Sequence, residues 1–220
     1  GLTVASAVAR ALPYEDVIYL GDTARLPYGT KSASTVSRYA ARAMDILLRY
    51  PIKAVVVACN TASAHALPTL REATALPVIG VVDPGARAAC AATKSGRIGV
   101  AGTEATIRSG AYQRAILEHD PDAEVVTAPW PLLVPLAEEG WTEHEVTRLT
   151  VQTYLEPFVT AGVDTLVLGC THYPVFKSLI QSVLERSFDG CEMVLVDSAD
   201  VVASDIQALL EDREESAPER

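Results

Sequence analysis

Positive charge is scarce in this sequence of 220 residues, where 18 lysine and arginine residues stand against 28 aspartate and glutamate residues, a net charge of −10. Nucleic acids and anionic membranes bind basic surfaces, so we expect neither as a partner. No apolar run reaches the roughly 18 residues of a membrane-spanning helix. No basic stretch followed by an apolar core opens the sequence, so no signal peptide is predicted and a cytoplasmic location is expected.

Motifs for nucleotides and metals are also missing. The glycine-containing stretches 80–85 and 97–102 lack the spacing of a phosphate-binding loop. No lysine has a setting that suggests a pyridoxal cofactor. The sequence therefore predicts a protein with reduced thiols, no metal and no cofactor. The four cysteines, Cys59, Cys90, Cys170 and Cys191, match neither a zinc-binding spacing nor a redox pair.

Apolar residues, by contrast, make up 49% of the sequence, enough for a globular core. Short apolar runs alternate with longer stretches of helical character, and most of the runs are continuous, which is typical of strands covered on both faces. This order predicts an α/β fold with mainly parallel sheets. The predicted strands are residues 17–20, 54–58, 78–82, 98–101, 125–126, 166–168 and 194–196. The predicted helices are residues 32–49, 62–74, 85–94, 104–118, 143–160, 175–186 and 199–212.

Two segments of the sequence resemble each other. In residues 54–61 an apolar strand runs into Cys59, Asn60 and Thr61, and in residues 165–172 another runs into Cys170, Thr171 and His172. We interpret them as equivalent parts of two similar α/β lobes, with the active site in the cleft between them. The first lobe is predicted to comprise residues 1–82 plus 193–220, and the second residues 83–192. Chance similarity of two hydrophobic strands is the alternative.

A cysteine between a strand and a helix has a defined chemistry. Unpaired backbone N–H groups at the start of the helix stabilise a thiolate and can also hold a substrate carboxylate. Two such thiols facing each other can remove a proton from one face of a carbon and deliver another to the opposite face. Cys59 and Cys170 are therefore predicted to be the acid and base of a racemase without cofactor, and His172 could tune Cys170 or shuttle a proton. Core packing of each cysteine, and a thiol hydrolase using Cys170 with His172, are the alternatives.

Five motifs carry a resemblance to a known family. Residues 21–31, 57–63, 83–87, 102–106 and 168–174 are similar to bacterial glutamate racemases, and the similarity extends over essentially the whole chain. The resemblance implies interconversion of L- and D-glutamate without cofactor, which supplies D-glutamate for peptidoglycan. It also implies a homodimer.

The resemblance assigns roles to individual residues. Cys59 and Cys170 would be the catalytic proton donor and acceptor, and His172 and Glu138 would be auxiliary acid/base groups, with Glu139 as the alternative to Glu138. The residues implied to bind the substrate are Tyr28, Gly29, Asn60, Thr61, Thr106, Thr171 and His172.

The sequence departs from the family pattern at its start. Members begin with a strand followed by Asp-Ser-Gly-Xaa-Gly-Gly-Leu, whereas this sequence begins with Gly1, Leu2 and Thr3, just inside that motif. We therefore expect that the sequence is truncated at this end, and at residues 214–220 as well. Two further functions stay open: a racemase of the same superfamily that acts on aspartate or another small acid, and a truncated remnant without activity.

Overall fold

The computed structural model describes residues 1–217, which form six strands and ten α-helices. The strands are β1 (Val55–Val57), β2 (Val78–Gly80), β3 (Arg97–Gly102), β4 (Glu124–Pro129), β5 (Thr165–Gly169) and β6 (Val194–Val196). The helices are α1 (Leu2–Ala11), α2 (Ala33–Leu47), α3 (Asn60–Glu72), α4 (Val82–Ala92), α5 (Glu104–Ser109), α6 (Ala111–His119), α7 (Leu133–Glu138), α8 (Glu145–Thr160), α9 (Lys177–Ser187) and α10 (Ala199–Asp212). Single 3₁₀ turns lie at Thr23–Arg25, Tyr28–Thr30 and Tyr173–Phe176.

The strands form two parallel sheets, which confirms the predicted α/β class. One sheet contains β1 and β2, and the other has the order β4-β3-β5-β6. Every pairing within them is parallel. In a parallel sheet the carboxyl ends of the strands meet at one edge. The loops that follow β1 and β5, which carry Cys59 and Cys170, therefore leave their sheets at edges where ligands commonly bind in α/β proteins.

Helices cover both faces of the larger sheet. Side chains alternate between the faces of a strand, so Leu166 and Leu168 of β5 pack with Phe158 of α8, while Val167 packs with Ile116 of α6. These side chains are almost completely buried. A strand buried on both faces favours apolar side chains on both, and this explains the continuous apolar run from Leu166 to Leu168 in β5.

One predicted strand does not form. Residues 17–20 follow no regular secondary structure, and their side chains, from Val17 to Leu20, are between 38% and 50% exposed. An apolar run indicates a preference for burial, but a strand also needs a neighbouring backbone in register to pair its N–H and C=O groups. Such a neighbour is lacking for this segment among the strands of residues 1–217.

The predicted helix 104–118 is two helices. Gly110 ends α5 in the left-handed region, with φ of 65°, and α6 begins at the next residue. Glycine adopts this conformation without steric cost and therefore commonly ends helices. The break redirects the chain, so that α5 packs against α3 and α6 packs against α4.

The predicted lobe boundaries stay a prediction. Within the segment 193–220, which we assigned to the first lobe, β6 pairs with β5 of the larger sheet. The helix that follows, α10, packs instead against α1. The chain therefore leaves the larger sheet after β6 and returns to helices that flank the small sheet.

Helix α8 offers a test of the core. Leu155 is fully buried against the larger sheet, whereas Leu149 on the same helix is 50% exposed. We expect Leu155→Ala to lower the free energy of unfolding by about 2–5 kcal/mol, because it leaves a cavity. The matched variant Leu149→Ala should change it by less than about 0.5 kcal/mol. Urea unfolding followed by circular dichroism measures both, and equal effects would contradict this assignment of the core.

Asp164, just before β5, gives stability a pH dependence. Its carboxylate accepts hydrogen bonds from Thr93 Oγ1 (2.6 Å), Lys94 N (2.8 Å) and Ser95 N (2.7 Å). Burial alone would raise the pKa of Asp164, but these hydrogen bonds hold it well below its usual value. The stabilisation is therefore present above the pKa of the unfolded chain, and is lost as the pH falls through the lower pKa of the folded protein.

We expect Asp164→Asn to lower the free energy of unfolding at pH 7 by about 1–3 kcal/mol, the range for hydrogen bonds to a charged group. The difference from the wild type should narrow below about pH 4, because the unfolded wild type then takes up a proton. Urea unfolding at pH 7 and pH 3 measures this. The control is Asp45→Asn, at an exposed position. The prediction is refuted if the difference in free energy of unfolding between Asp164→Asn and the wild type is the same at both pH values.

Candidate active site

Cys59 lies between the end of β1 and the start of α3. Its carbonyl accepts the N–H of Ser63 at 2.8 Å, and this bond closes the first turn of the helix. The N–H groups of Thr61 and Ala62 and the hydroxyl of Thr61 bond to its sulfur. Burial raises the pKa of the Cys59 thiol, and these hydrogen bonds act in the opposite direction. Cys59 as a residue is partly exposed.

Three buried threonine hydroxyls stand beside this thiol. Thr61 Oγ1 lies 2.9 Å from Thr103 Oγ1 and 3.0 Å from Thr106 Oγ1, and the last two are 3.0 Å apart. Thr103 also caps α5 by accepting the N–H of Thr106. Each hydroxyl can donate one hydrogen bond and accept two. The three contacts use all three hydroxyl protons, so the group can accept further hydrogen bonds, and a hydroxyl can donate to a carboxylate only by leaving one of its present partners.

The 3₁₀ turn Tyr28–Thr30 packs against the same hydroxyls. A Cβ atom on Gly29 would lie 2.4 Å from Thr103 Cβ, so only glycine fits there. The hydroxyl of Tyr28 donates to Asp22 Oδ2 at 2.5 Å. Burial, Asp22 and the charge of Cys59 together raise the pKa of Tyr28, so Tyr28 stands within electrostatic range of Cys59.

Cys170 follows β5 directly and is 7% exposed. Burial raises the pKa of the Cys170 thiol to about 12. Hydrogen bonds from the backbone N–H groups of His172 and Tyr173 act in the opposite direction and lower this pKa. The charge of Cys59 raises the same pKa further. The two thiols, carried by different sheets, therefore lie within electrostatic range of each other.

A relay of three side chains leads away from Cys170. Its sulfur lies 3.6 Å from Nδ1 of His172, and Nε2 of His172 lies 2.6 Å from Oε1 of Glu138. Glu138 is the last residue of α7, and it is Glu138 rather than Glu139 that makes this contact. When Nε2 carries the imidazole proton and donates it in a hydrogen bond to Glu138, Nδ1 is free to accept the proton of the thiol.

Two further predicted site residues, Asn60 and Thr171, lie beside Cys170. Asn60, Thr171 and Cys170 line one small cavity, together with Asp197 and Ser198. The hydroxyl of Tyr112 donates to Asn60 Oδ1 at 2.6 Å. The structure thus brings the predicted site residues together around the two thiols, some in direct contact and others, such as Gly29, through intervening side chains.

Sequence reasoning missed five polar residues around the site: Asp22, Thr103, Tyr112, Asp197 and Ser198. Asp22 and Thr103 lie inside motifs that the sequence presents, at positions 21–31 and 102–106, and could have been found there. Tyr112, Asp197 and Ser198 carry no sequence signal, because only folding brings them near the cysteines.

Residues 1–217 contain no group of three or more histidine, cysteine, aspartate or glutamate side chains placed to hold a metal ion. None of the helices in this part of the chain is both long and apolar enough to span a membrane.

The sequence and the fold both have known relatives. The profile of the Asp/Glu/Hydantoin racemase family matches residues 2–206. The chain belongs to this family. A glutamate racemase of Geobacter metallireducens is 55% identical over 210 residues, which cover 96% of this chain and 76% of that protein.

Solved racemase structures share the fold. A glutamate racemase isoform of Bacillus anthracis superposes with a TM-score of 0.92 at 39% identity, covering 98% of this chain and 79% of that one. A glutamate racemase of Francisella tularensis, solved in complex with D-glutamate, superposes with a TM-score of 0.91 at 35% identity. The match covers 100% of this chain and 80% of that one. The family membership thus agrees with the resemblance seen in the motifs.

The relay predicts how Cys170 reacts. Glu138→Gln removes the carboxylate that contacts Nε2 of His172 and so holds Nδ1 toward the thiol as its proton acceptor, and we expect less thiolate to form at neutral pH. We expect the rate of Cys170 alkylation by iodoacetamide at pH 7 to fall about twofold to fivefold, the range for a half-exposed ion pair. Mass spectrometry of the peptide that contains Cys170 measures it. Glu139→Gln is the matched control and should leave the rate unchanged, and equal effects of the two substitutions would refute the relay.

Proposed function

We propose that this chain interconverts L- and D-glutamate without a cofactor, with Cys59 and Cys170 as the two bases. The observation that carries the proposal is the pair of thiols, each at the end of a strand from a different sheet and within electrostatic range of the other. Two thiols on opposite sides of one Cα atom are what a two-base racemisation requires. The choice of glutamate rests on the similarity to glutamate racemases.

The reaction exchanges one proton for another. A thiolate on one side takes the Cα proton, and the electron pair of the broken C–H bond remains on Cα and its carboxylate. The thiol on the other side donates its proton to the opposite face of Cα. The two cysteines end with their protonation states exchanged, so the reverse reaction starts from the product state.

The backbone and side chains around each thiol stabilise the carbanion. The N–H groups at the start of α3 and the hydroxyls beside Cys59 would turn from their present partners to a carboxylate of the substrate, and Asn60 and Thr171 would add donors from the cavity at Cys170. Water is excluded as the substrate fills the site, which strengthens these hydrogen bonds. A buried thiolate of high pKa is also a strong base toward Cα–H.

A thiol hydrolase is the second candidate, because the contacts among Cys170, His172 and Glu138 are also those of a nucleophile, its base and an orienting carboxylate. A hydrolase would form an acyl-enzyme on Cys170 and would not need Cys59. The matched setting of Cys59, with its own N–H groups and hydroxyls, favours racemisation.

The biological role follows from the reaction. D-Glutamate made by this chain would enter peptidoglycan. The proposed compartment is the cytoplasm, and the proposed assembly is a homodimer, as the resemblance to the family implies.

We expect Cys59→Ser and Cys170→Ser each to lower kcat for racemisation of glutamate at least about 100-fold, because a serine hydroxyl is a far weaker acid and base catalyst. Circular dichroism follows the change of configuration, and proton NMR in D2O follows replacement of the Cα proton by deuterium. Cys90→Ser is the control, since Cys90 donates to the carbonyl of Ile116 away from the site and serine keeps a donor there.

The outcomes separate the alternatives. Full activity of Cys59→Ser would exclude the two-base mechanism, and a covalent acyl-enzyme on Cys170 would favour the hydrolase. Exchange on aspartate but not on glutamate by the wild type would reassign the substrate. A wild type that exchanges neither amino acid would favour a remnant without activity.

A further inference from the structure

Tyr112, at the start of α6, touches the neighbours of both active-site cysteines. Its hydroxyl donates to Asn60 Oδ1 at 2.6 Å, and Asn60 directly follows Cys59. Its ring lies against Gly169, which directly precedes Cys170. Tyr112 therefore contacts both cysteine segments, one that follows the small sheet and one that follows the larger sheet.

The ring occupies a slot that two glycines create. A Cβ atom on Gly85 of α4 would lie 3.1 Å from the tyrosine hydroxyl oxygen, and one on Gly169 would lie 3.1 Å from Cε2 of the ring. The same atom on Gly169 would also lie 2.7 Å from the carbonyl oxygen of Ala101, so the backbone there leaves no room for any other residue. Tyr112 is 3% exposed, and its position is therefore set by packing on both sides.

We infer that Tyr112 is a positioning residue for racemisation, which holds the Asn60 amide and the start of α3 in register with the segment that carries Cys170. This inference rests on the proposed function. Proton transfer between two thiols and one carbon depends on distances that a shift of about 1 Å already spoils. A side chain that fixes one loop against the other directly controls those distances.

The hydrogen bond also orients the amide of Asn60. Burial and the charges of Cys170 and Asp197 raise the pKa of Tyr112 well above its usual value, so its hydroxyl remains protonated and donates throughout the neutral range. Because Oδ1 of Asn60 accepts this bond, the two N–H donors of the amide remain for a substrate carboxylate. A flipped amide would direct its oxygen toward the anion and repel it.

Tyr112→Phe tests the inference because it keeps the ring in its slot and removes only the hydroxyl. We expect kcat/KM for glutamate to fall roughly 10-fold to 100-fold, with a midpoint of thermal unfolding close to that of the wild type. Tyr154→Phe is the matched control. The hydroxyl of Tyr154 lies on the other side of the larger sheet, where it accepts the N–H of Leu132. Removing this hydroxyl should leave kcat/KM unchanged.

A double-mutant cycle separates positioning from a general structural effect. If Tyr112 acts through Asn60, then Tyr112→Phe should change kcat/KM less than about twofold once Asn60→Ala is present. Additive losses, or full activity of Tyr112→Phe, would overturn the inference. Gly85→Ala is a second variant, which keeps the hydroxyl but displaces it. It should lower kcat/KM in the same direction, so the inference stays testable if Tyr112→Phe fails to fold.

The same measurements distinguish the two proposals. If the wild type racemises glutamate and needs both cysteines, but Tyr112→Phe is fully active, the inference about Tyr112 is wrong and the proposed function stands. Calorimetric titration with D-glutamate adds a readout that does not need turnover, and Tyr112→Phe should weaken binding. A wild type that neither racemises nor binds glutamate would overturn both proposals.

Discussion

Burial and backbone hydrogen bonding oppose each other at both active-site thiols, and the chemistry of the site depends on that opposition. Dry surroundings favour the neutral thiol and raise the pKa of Cys170 to about 12, whereas the N–H groups at the following turn favour the thiolate. The same balance holds at Cys59. A thiolate formed in such surroundings is a stronger base than one in water, but it is rarer at neutral pH. The groups next to each sulfur therefore have to assist its ionisation.

The two thiols receive that assistance in different ways. Cys170 has an imidazole beside it and a carboxylate behind the imidazole, so its proton has a defined acceptor. Cys59 has the hydroxyl of Thr61, which is held in turn by two further threonines, so its support consists of hydrogen-bond donors rather than a base. A reaction that runs in both directions can tolerate this asymmetry, because each cysteine acts as the base in one direction and as the acid in the other.

Glycine residues allow the segments around Cys59 and Cys170 to pack closely together. Gly29 lets the turn at Tyr28 lie against Thr103, and Gly85 with Gly169 leaves the slot for Tyr112. At each place a Cβ atom would collide with, or crowd, a polar side chain of the site. The hydrogen bond from Tyr112 to Asn60 then joins the loop after β1 to the helices of the larger sheet. Backbone space and a few buried hydroxyls thus set the geometry of the site, whereas its large apolar cores set the stability of the sheets.

Local sequence is sufficient for the features that depend on neighbours along the chain. The continuous apolar run of β5 predicts a strand buried on both faces, and the polar residues after Cys59 predict the start of α3, whose N–H groups support a thiolate. After Cys170 the predicted helix start is a 3₁₀ turn, and α9 begins only at Lys177. The same reasoning fails for residues 17–20, because pairing with another strand is not encoded in an apolar run.

Only the tertiary structure decides the contacts between distant segments. Glu138 and Glu139 are equivalent in sequence, and the orientation of α7 alone directs Glu138 to His172. Likewise, nothing near Tyr112 in the chain marks it as a neighbour of Asn60. Both contacts form because packed helices and sheets fix the direction of each side chain, and that direction is a property of the folded molecule rather than of any short stretch of it.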